Sequence, residues 1–259
     1  NHEMINSFPL GDFKGFAPAF YRAPLDNDRN ICKYWHTMGL QNTSNICKGS
    51  SFTDNGDNIV VTTNIKSIAN CILPVANTQI KYTIYPNGNI LVDVNCLGGG
   101  AVKLLPRFGV MLEMPKEYEN IKYFGLGEDV NLPDYKEHTI NKVYQITVDK
   151  LKEDYIKPQE SATRCDVRFA EITNASGFGL RFEAVSKPFV FSASHYTSNQ
   201  WAKAMHRQDL VDLPTTCVNI DSSVLGAGSN ACGPLPDKKD RVGSLSGKKL
   251  SFVVKPIGE

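Results

Sequence analysis

Apolar and polar residues alternate with period two along much of the chain, in runs rich in β-branched and aromatic side chains. Each such run sends every second side chain to one face, which is the pattern of a half-buried strand. Asn58 to Ser67 is one such run. Gln79 to Tyr85 and Ile90 to Cys96 form the clearest hairpin, with Asn87-Gly88 expected to supply the positive φ angles of a type I′ turn. Val102 to Glu113, Ile121 to Phe124 and Tyr144 to Asp149 predict further strands. Cys165 to Ile172 predicts one continuous strand, turning at Asn174 to Gly177 and returning through Leu180 to Ala184. Pro188 to Ala193, Cys217 to Ile220 and Leu250 to Lys255 complete the set. One short helix is expected over Gln200 to Met205, capped by Thr197 or Ser198. Strands at this density predict an all-β sandwich or barrel. No repeat, linker or composition shift marks a second domain, so residues 1–259 are expected to form one. The Gly98 to Gly100 stretch is expected to be a loop between strands.

The chain has 259 residues, 41% of them hydrophobic, which is enough for a sizeable core. Lys and Arg (28) nearly balance Asp and Glu (27), leaving a net charge of +1. That balance argues against a nucleic-acid partner, which requires clustered positive charge. No run approaches the ~18 apolar residues of a membrane helix, and the first residues do not form a signal peptide. Position 1 is Asn rather than an initiator Met, so the chain reads as a fragment whose targeting segment lies elsewhere. Seven cysteines, odd in number and without a CxxC pair, read as free thiols in a reducing compartment. A cytoplasmic location is therefore expected, with the periplasm as the alternative. Neither the cysteines nor the five histidines cluster at metal-ligand spacing.

The familiar catalytic motifs are missing: no G-x-S-x-G, Walker loop, H-E-x-x-H or dinucleotide glycine pattern occurs. Gly125-Leu126-Gly127 is a lone G-x-G and reads as a turn at a strand end. Glu128, Asp129, Asp134, Glu160 and Asp166 are carboxylates of the type glycoside hydrolysis needs, but sequence alone does not place any two of them ~5–5.5 Å apart. Structural or surface roles are the preferred reading. His195 and His206 flank the short helix; each is either a general acid/base or, as preferred, a local hydrogen-bonding pin.

Four constellations concentrate polar chemistry. Phe20 to Asp28 packs aromatic, cationic and acidic residues around Pro24, and Arg22 can fork onto one of the carboxylates. Pro158-Gln159-Glu160 precedes Arg164, Asp166 and Arg168, whose even spacing puts them on one strand face as an ion-pair ladder or groove wall. Ser194-His195-Tyr196 leads to His206. Asn219-Ile220-Asp221 leads into a loop of small residues, Gly226 to Pro234, that lets backbone approach a ligand or neighbouring domain.

Together these segments resemble a known family. Tyr21-Arg22-Ala23-Pro24-Leu25-Asp26-Asn27-Asp28 is similar to the R-A-P-[LT]-D-N-D signature of the C-terminal domain of family-2 β-galactosidases, the small chain. Gly125-Leu126-Gly127 with Asn131 and Pro133-Asp134 resembles its G-x-G-P-x-E-x-Y-x-D-R segment. Tyr155, Pro158-Gln159-Glu160, Arg164 and Arg168 resemble its Y-x-x-P-Q-E-x-G-x-R-x-x-x-R stretch. Phe191-Ser192-Ala193, Tyr196, Ala204, His206 and Asp209-Leu210 resemble its F-S-A-x-x-Y…A-x-H-x-x-D-L run, and Gly226 to Pro234 its closing G-x-G-x-x-x-C-G-P element. The matches run in order from about residue 20 to the C-terminus, and the strands that precede the signature in the family look shortened here.

The resemblance implies a large antiparallel super-sandwich, galactose mutarotase-like, without the catalytic glutamates. Those lie on a TIM barrel, in the same polypeptide or on a large subunit. It implies that Asn230, Ala231, Cys232 and Gly233 stand near the galactoside, and that Arg22, Asp26, Asn27, Asp28, Glu160, Arg164 and His206 are structural or interdomain anchors. It implies no cofactor within this chain, although complete enzymes often use Mg and Na at the barrel. The chain departs from the pattern where Glu128, Val130, Leu132 and Tyr135 replace the family's Pro, Glu, Tyr and Arg. Ser161-Ala162-Thr163 replaces its glycine-containing turn. Two other readings stand beside it. A carbohydrate-binding module would use exposed aromatics such as Trp35, Trp201, Tyr123 and Tyr135, and a mutarotase would use His195 or His206 with Glu160.

Overall fold

A computed structural model of the chain describes residues 15–228 and 233–258. Fourteen strands are found there: β1 (Ala17–Ala19), β2 (Thr43–Asp54), β3 (Ile59–Ala69), β4 (Leu73–Ile84), β5 (Ile90–Gly99), β6 (Arg107–Pro115) and β7 (Asn120–Gly127) come first. They are followed by β8 (Ile140–Thr147), β9 (Arg164–Val167), β10 (Phe169–Thr173), β11 (Gly179–Ala184), β12 (Phe189–Ser194), β13 (Thr215–Val224) and β14 (Lys249–Ile257). Three short helices accompany them: α1 (Cys32–Thr37), α2 (Val148–Leu151) and α3 (Ser198–Lys203). The strands form a nine-stranded sheet, β2-β3-β4-β5-β14-β11-β10-β7-β8, and a five-stranded sheet, β1-β6-β13-β12-β9. Neighbours pair antiparallel throughout. The expected large antiparallel sandwich is the architecture found.

Period-two patterning explains the core. In β6, Phe108, Val110, Leu112 and Met114 are all fully buried and face inward, while Gly109, Met111 and Glu113 take the other face. Val218 and Ile220 of β13 and Phe189 and Phe191 of β12 extend this layer. Opposite lie Ile80, Val92, Val94, Phe182, Phe252 and Val254 of the larger sheet. Phe16, just before β1, packs edge-on against Phe252 of β14, with centroids 5.3 Å apart.

Several expectations are corrected. At the β4–β5 hairpin Gly88 N–H donates to Tyr85 O (3.0 Å), so Pro86 and Asn87 are the central pair, and of these loop residues only Gly88 has positive φ (+80°). Pro86 holds φ near −65°, which fits a type I turn and forbids type I′. Strand β6 starts at Arg107 rather than Val102, just after Pro106, which lacks an N–H to give a ladder. Gly98 and Gly99 end β5 rather than standing in a loop, and Gly125 lies inside β7, with Gly127 as its last residue, rather than in a turn. A Cβ on Gly125 would come within 2.8 Å of Val167 on β9, which crosses there.

The expected strand Cys165 to Ile172 is two strands. Asp166 adopts φ +54°, and the chain leaves the five-stranded sheet as β9 to re-enter the nine-stranded sheet as β10. Strand β2 and helix α1 escaped the sequence reading. From Cys47 to Asp54, β2 is an exposed edge with no buried face to impose alternation. Helix α3 matches expectation to within two residues. Thr197 Oγ1 accepts from Gln200 N–H (3.1 Å), and Gln200 Oε1 accepts from Thr197 N–H (2.8 Å), a complete capping box.

Candidate functional site

Three of the four motif segments meet at one rim of the sandwich. The first is the Tyr21–Asp28 turn. Arg22 is buried and pairs with buried Asp28 at 2.6 Å, while the same carboxylate oxygen accepts from Leu25 N–H at 2.8 Å. The other end of the guanidinium donates to Leu225 O at 3.3 Å, and its plane lies 5.6 Å from the Trp35 ring. One cation thus closes its own turn and moors the root of the glycine-rich loop, 203 residues later. Removing one partner from such a buried pair costs about 3–5 kcal/mol.

The second segment is Tyr155 to Arg164. Gln159 Oε1 accepts from Asp26 N–H at 2.9 Å, joining it to the first turn. Glu160 is 4% exposed, and its Oε1 accepts from Ala162 N–H (3.2 Å) and Thr163 Oγ1 (3.0 Å). Arg164 is buried, and no carboxylate pairs with it among the described residues. Its guanidinium donates to three backbone carbonyls, Thr163 (3.0 Å), Glu128 (2.6 Å) and Leu151 (2.9 Å). This overturns the expected ladder of Arg164, Asp166 and Arg168. The break at Asp166 changes their parity, so Asp166 pairs with Lys136 at 2.6 Å and Arg168 points to solvent. A ladder does exist elsewhere, on β7, β10, β11 and β14: Lys122, Glu171, Arg181, Glu183 and Lys255.

The third segment is the root of the loop, held by Asp134, the motif-matched residue whose partners the sequence does not indicate. Asp134 accepts two successive backbone N–H groups, Ala227 at 2.7 Å and Gly228 at 2.8 Å. A Cβ at Gly226 would sit 2.5 Å from Asp134 Cγ, so glycine is what lets the carboxylate approach. Gly226 N–H donates to Asp240 O (2.8 Å), and Asn27 Nδ2 donates to Gly228 O (3.4 Å). Asn131 steadies the preceding bend. Its Nδ2 reaches Leu126 O and Asp129 O, and its Oδ1 accepts from Cys165 N–H at 2.6 Å. No local pattern reveals the Asp134 clamp, because its partners lie 93 and 94 residues further on.

Between these segments lies a pocket of about 290 Å³ lined by Leu25, Asp26, Asn27, Val130, Leu132 and Tyr135, with Tyr155, Gln159, Glu160 and Ala227. Tyr155 and Gln159 also line an adjoining hollow of about 460 Å³ that runs towards Tyr196 and Arg207. A larger depression of about 750 Å³ spans β7 and β8 and carries mixed charge, with Lys122, Lys150, Glu128 and Glu171 on its walls. Beneath the rim, Asp221 is wholly buried 3.3 Å from Arg107. Burial pushes its carboxyl up to about 7, against the pull of Arg107 and with the help of Glu160.

Of the residues expected near a galactoside, Asn230, Ala231 and Cys232 lie outside the described residues, and Gly233 is exposed. Arg22, Asp26, Asn27, Asp28, Glu160 and Arg164 all fall at or beneath the rim. His206 does not join them. It is exposed and caps a 3-10 turn with Asp209, whose carboxylate accepts from the His206 N–H at 2.9 Å. His195 is buried, with Nδ1 3.4 Å from Thr215 O, and none of the hydrogen bonds of Glu160 reaches either histidine. The aromatic platform of the binding-module reading is also not assembled. Trp35, Trp201 and Tyr123 are core residues, and only Tyr135 of the four is exposed. Among the described cysteines, Cys96, Cys165 and Cys217 are buried free thiols, whereas Cys47 and Cys71 are exposed. Among the described residues no three His, Cys, Asp or Glu side chains are grouped to hold a metal ion, and no helix is long and apolar enough to cross a membrane.

The fold and this rim define a class: a large antiparallel β-sandwich whose motif residues shape one surface. Sequence comparison then gives the family. The chain belongs to the β-galactosidase small chain family, whose model matches residues 2–254. It is 28% identical over 215 residues to a β-galactosidase of Actinobacillus pleuropneumoniae, covering 83% of this chain and 21% of that protein. It is 25% identical over 249 residues to one of Streptococcus thermophilus, covering 94% and 24%. The chain thus spans about a fifth to a quarter of the length of the curated relatives it matches. A galactose 1-epimerase from Lactobacillus acidophilus NCFM aligns with a TM-score of 0.47 at 8% identity, covering 81% of this chain and 66% of that one. That likeness is too loose to bear on the chemistry of this chain.

Proposed function

We propose that this chain is the small-chain part of a β-galactosidase, packing against the part that carries the catalytic carboxylates and completing its galactoside pocket. The reaction would be retaining hydrolysis of a terminal β-galactoside. One carboxylic acid protonates the leaving oxygen while a carboxylate attacks the anomeric carbon, and water then cleaves the galactosyl ester. Both groups would lie outside this chain. The observation that carries the reading is the mooring of one loop root by three side chains from two distant segments: Arg22 on Leu225 and Asn27 on Gly228 from the first turn, and Asp134 on Ala227 and Gly228. So much fixed polar geometry holds the root of the loop, Leu225 to Gly228, in one place. Residues Asn230, Ala231, Cys232 and Gly233 would then form one wall of the sugar site. The test is to replace these four residues in the complete enzyme and measure steady-state kinetics on a galactoside. A rise in KM of tenfold or more supports the reading, and an unchanged KM and kcat removes it.

A further inference from the structure

We propose that the 290 Å³ pocket at the rim is a socket for one basic side chain, lysine or arginine, supplied by the rest of the enzyme. This rests on the proposed function, because it names what that partner inserts.

Among the described residues the pocket is lined by two acidic side chains and no basic one. Asp26 and Glu160 are among its lining residues, with Glu160 Oε1 already accepting from Ala162 N–H and Thr163 Oγ1, and no lysine or arginine is among its described lining residues. Neither carboxylate takes part in an ion pair among the described residues. The chain as a whole is balanced at +1, so this is a local concentration of negative charge and not a general property of the surface. Glu160 is already almost out of water, and a partner laid across the rim would desolvate it fully. A buried carboxylate in that position is costly unless a cation meets it.

The walls fit the stem of such a side chain. Leu25, Val130, Leu132 and Ala227 give apolar contact for methylene groups, and Tyr135 and Tyr155 offer aromatic rings to an ammonium or guanidinium. Tyr135 is 55% exposed, and its ring lies 4.5 Å from that of His138, so it keeps accessible surface for a cation. A divalent metal is a poorer occupant, since it would demand six or so oxygen ligands from a pocket with mostly apolar walls.

The assembled enzyme, on one polypeptide or two, provides the test. Amide hydrogen exchange is followed over residues 130–135 and 155–160 as NaCl is raised, alongside carbodiimide cross-linking read by mass spectrometry. The variants are Asp26→Asn with Glu160→Gln, and Tyr135→Arg, which would place a competing cation at the mouth. Glu183→Gln, on the ladder of the nine-stranded sheet, is the control. Both rim variants are expected to speed exchange in the two segments at least tenfold. The Asp26/Glu160 variant should also lose the salt dependence, while the control behaves as wild type. Thermal unfolding of each variant separates a lost socket from a lost fold. Tyr135→Arg alters an exposed side chain, so it stays informative if the double variant unfolds. Exchange within twofold of wild type for both rim variants overturns the socket, as does protection that disappears with EDTA. If the wild-type segments are as unprotected in the complete enzyme as in the isolated chain, docking itself fails, and the proposed function with it.

Discussion

Replacing Gly226 with alanine tests the clamp at the loop root directly. The new methyl carbon would lie 2.5 Å from Cγ and 2.7 Å from Oδ2 of Asp134, and the nearest atoms it meets all belong to that carboxylate. Gly226 is not in the left-handed region, so alanine strains no backbone there. The carboxylate must swing away and give up its bonds to Ala227 and Gly228. Hydrogen bonds to a charged group are worth about 1.5–3 kcal/mol each. Asp134 is solvent-accessible, so water repays part of this, and a net loss of about 2 kcal/mol is expected. Asp134→Ala should cost the same, about 2 kcal/mol, through the same two bonds. With the carboxylate gone the three nearest atoms are removed, and Gly→Ala is then expected to stabilise by about 0.4–1 kcal/mol through the unfolded chain. The two substitutions should therefore be non-additive by about 2 kcal/mol or more. Urea unfolding followed by the fluorescence of buried Trp35 and Trp201 measures the cycle. If Gly226→Ala costs as much in the Asp134→Ala background as in wild type, the clamp does not set the loop root.

Three further outcomes are expected. Arg164→Met leaves the carbonyls of Thr163, Glu128 and Leu151 without their donor, and should lower stability by about 3–5 kcal/mol in the same urea assay. Burial raises the Asp221 carboxyl to about 7, so the folded chain keeps a proton that the unfolded chain releases near pH 4. This group therefore makes stability fall as pH rises from about 4 to 7, and unfolding midpoints across that range should fall less steeply in Asp221→Asn. Cys47 and Cys71 are exposed and should react with a thiol reagent in the native chain. Cys165 and Cys217, whose thiols burial pushes up to about 12, should react only on unfolding, as labelling with and without urea will show.

Short-range patterns made much of the fold legible. The β4–β5 hairpin, the inward row of β6 and the Thr197 capping box each depend on residues within a few positions of one another. The order of the motif segments also carried the family. What the sequence by itself determined was therefore an antiparallel β-sandwich with a cluster of polar motifs. It did not determine which motifs would meet. His206 matches the motif pattern as well as Arg22 does, yet it stands apart on the surface, while Arg22 reaches Leu225 across 203 residues. A single left-handed residue, Asp166, turned an expected ion-pair face into a buried Arg164 and two unrelated surface charges. Glycines 125 and 226 looked like loop punctuation until the tertiary structure brought Val167 and Asp134 against them. Only the tertiary structure decided these points. Periodicity records which face a residue takes, whereas the partner waiting on that face depends on how strands far apart in sequence align and cross.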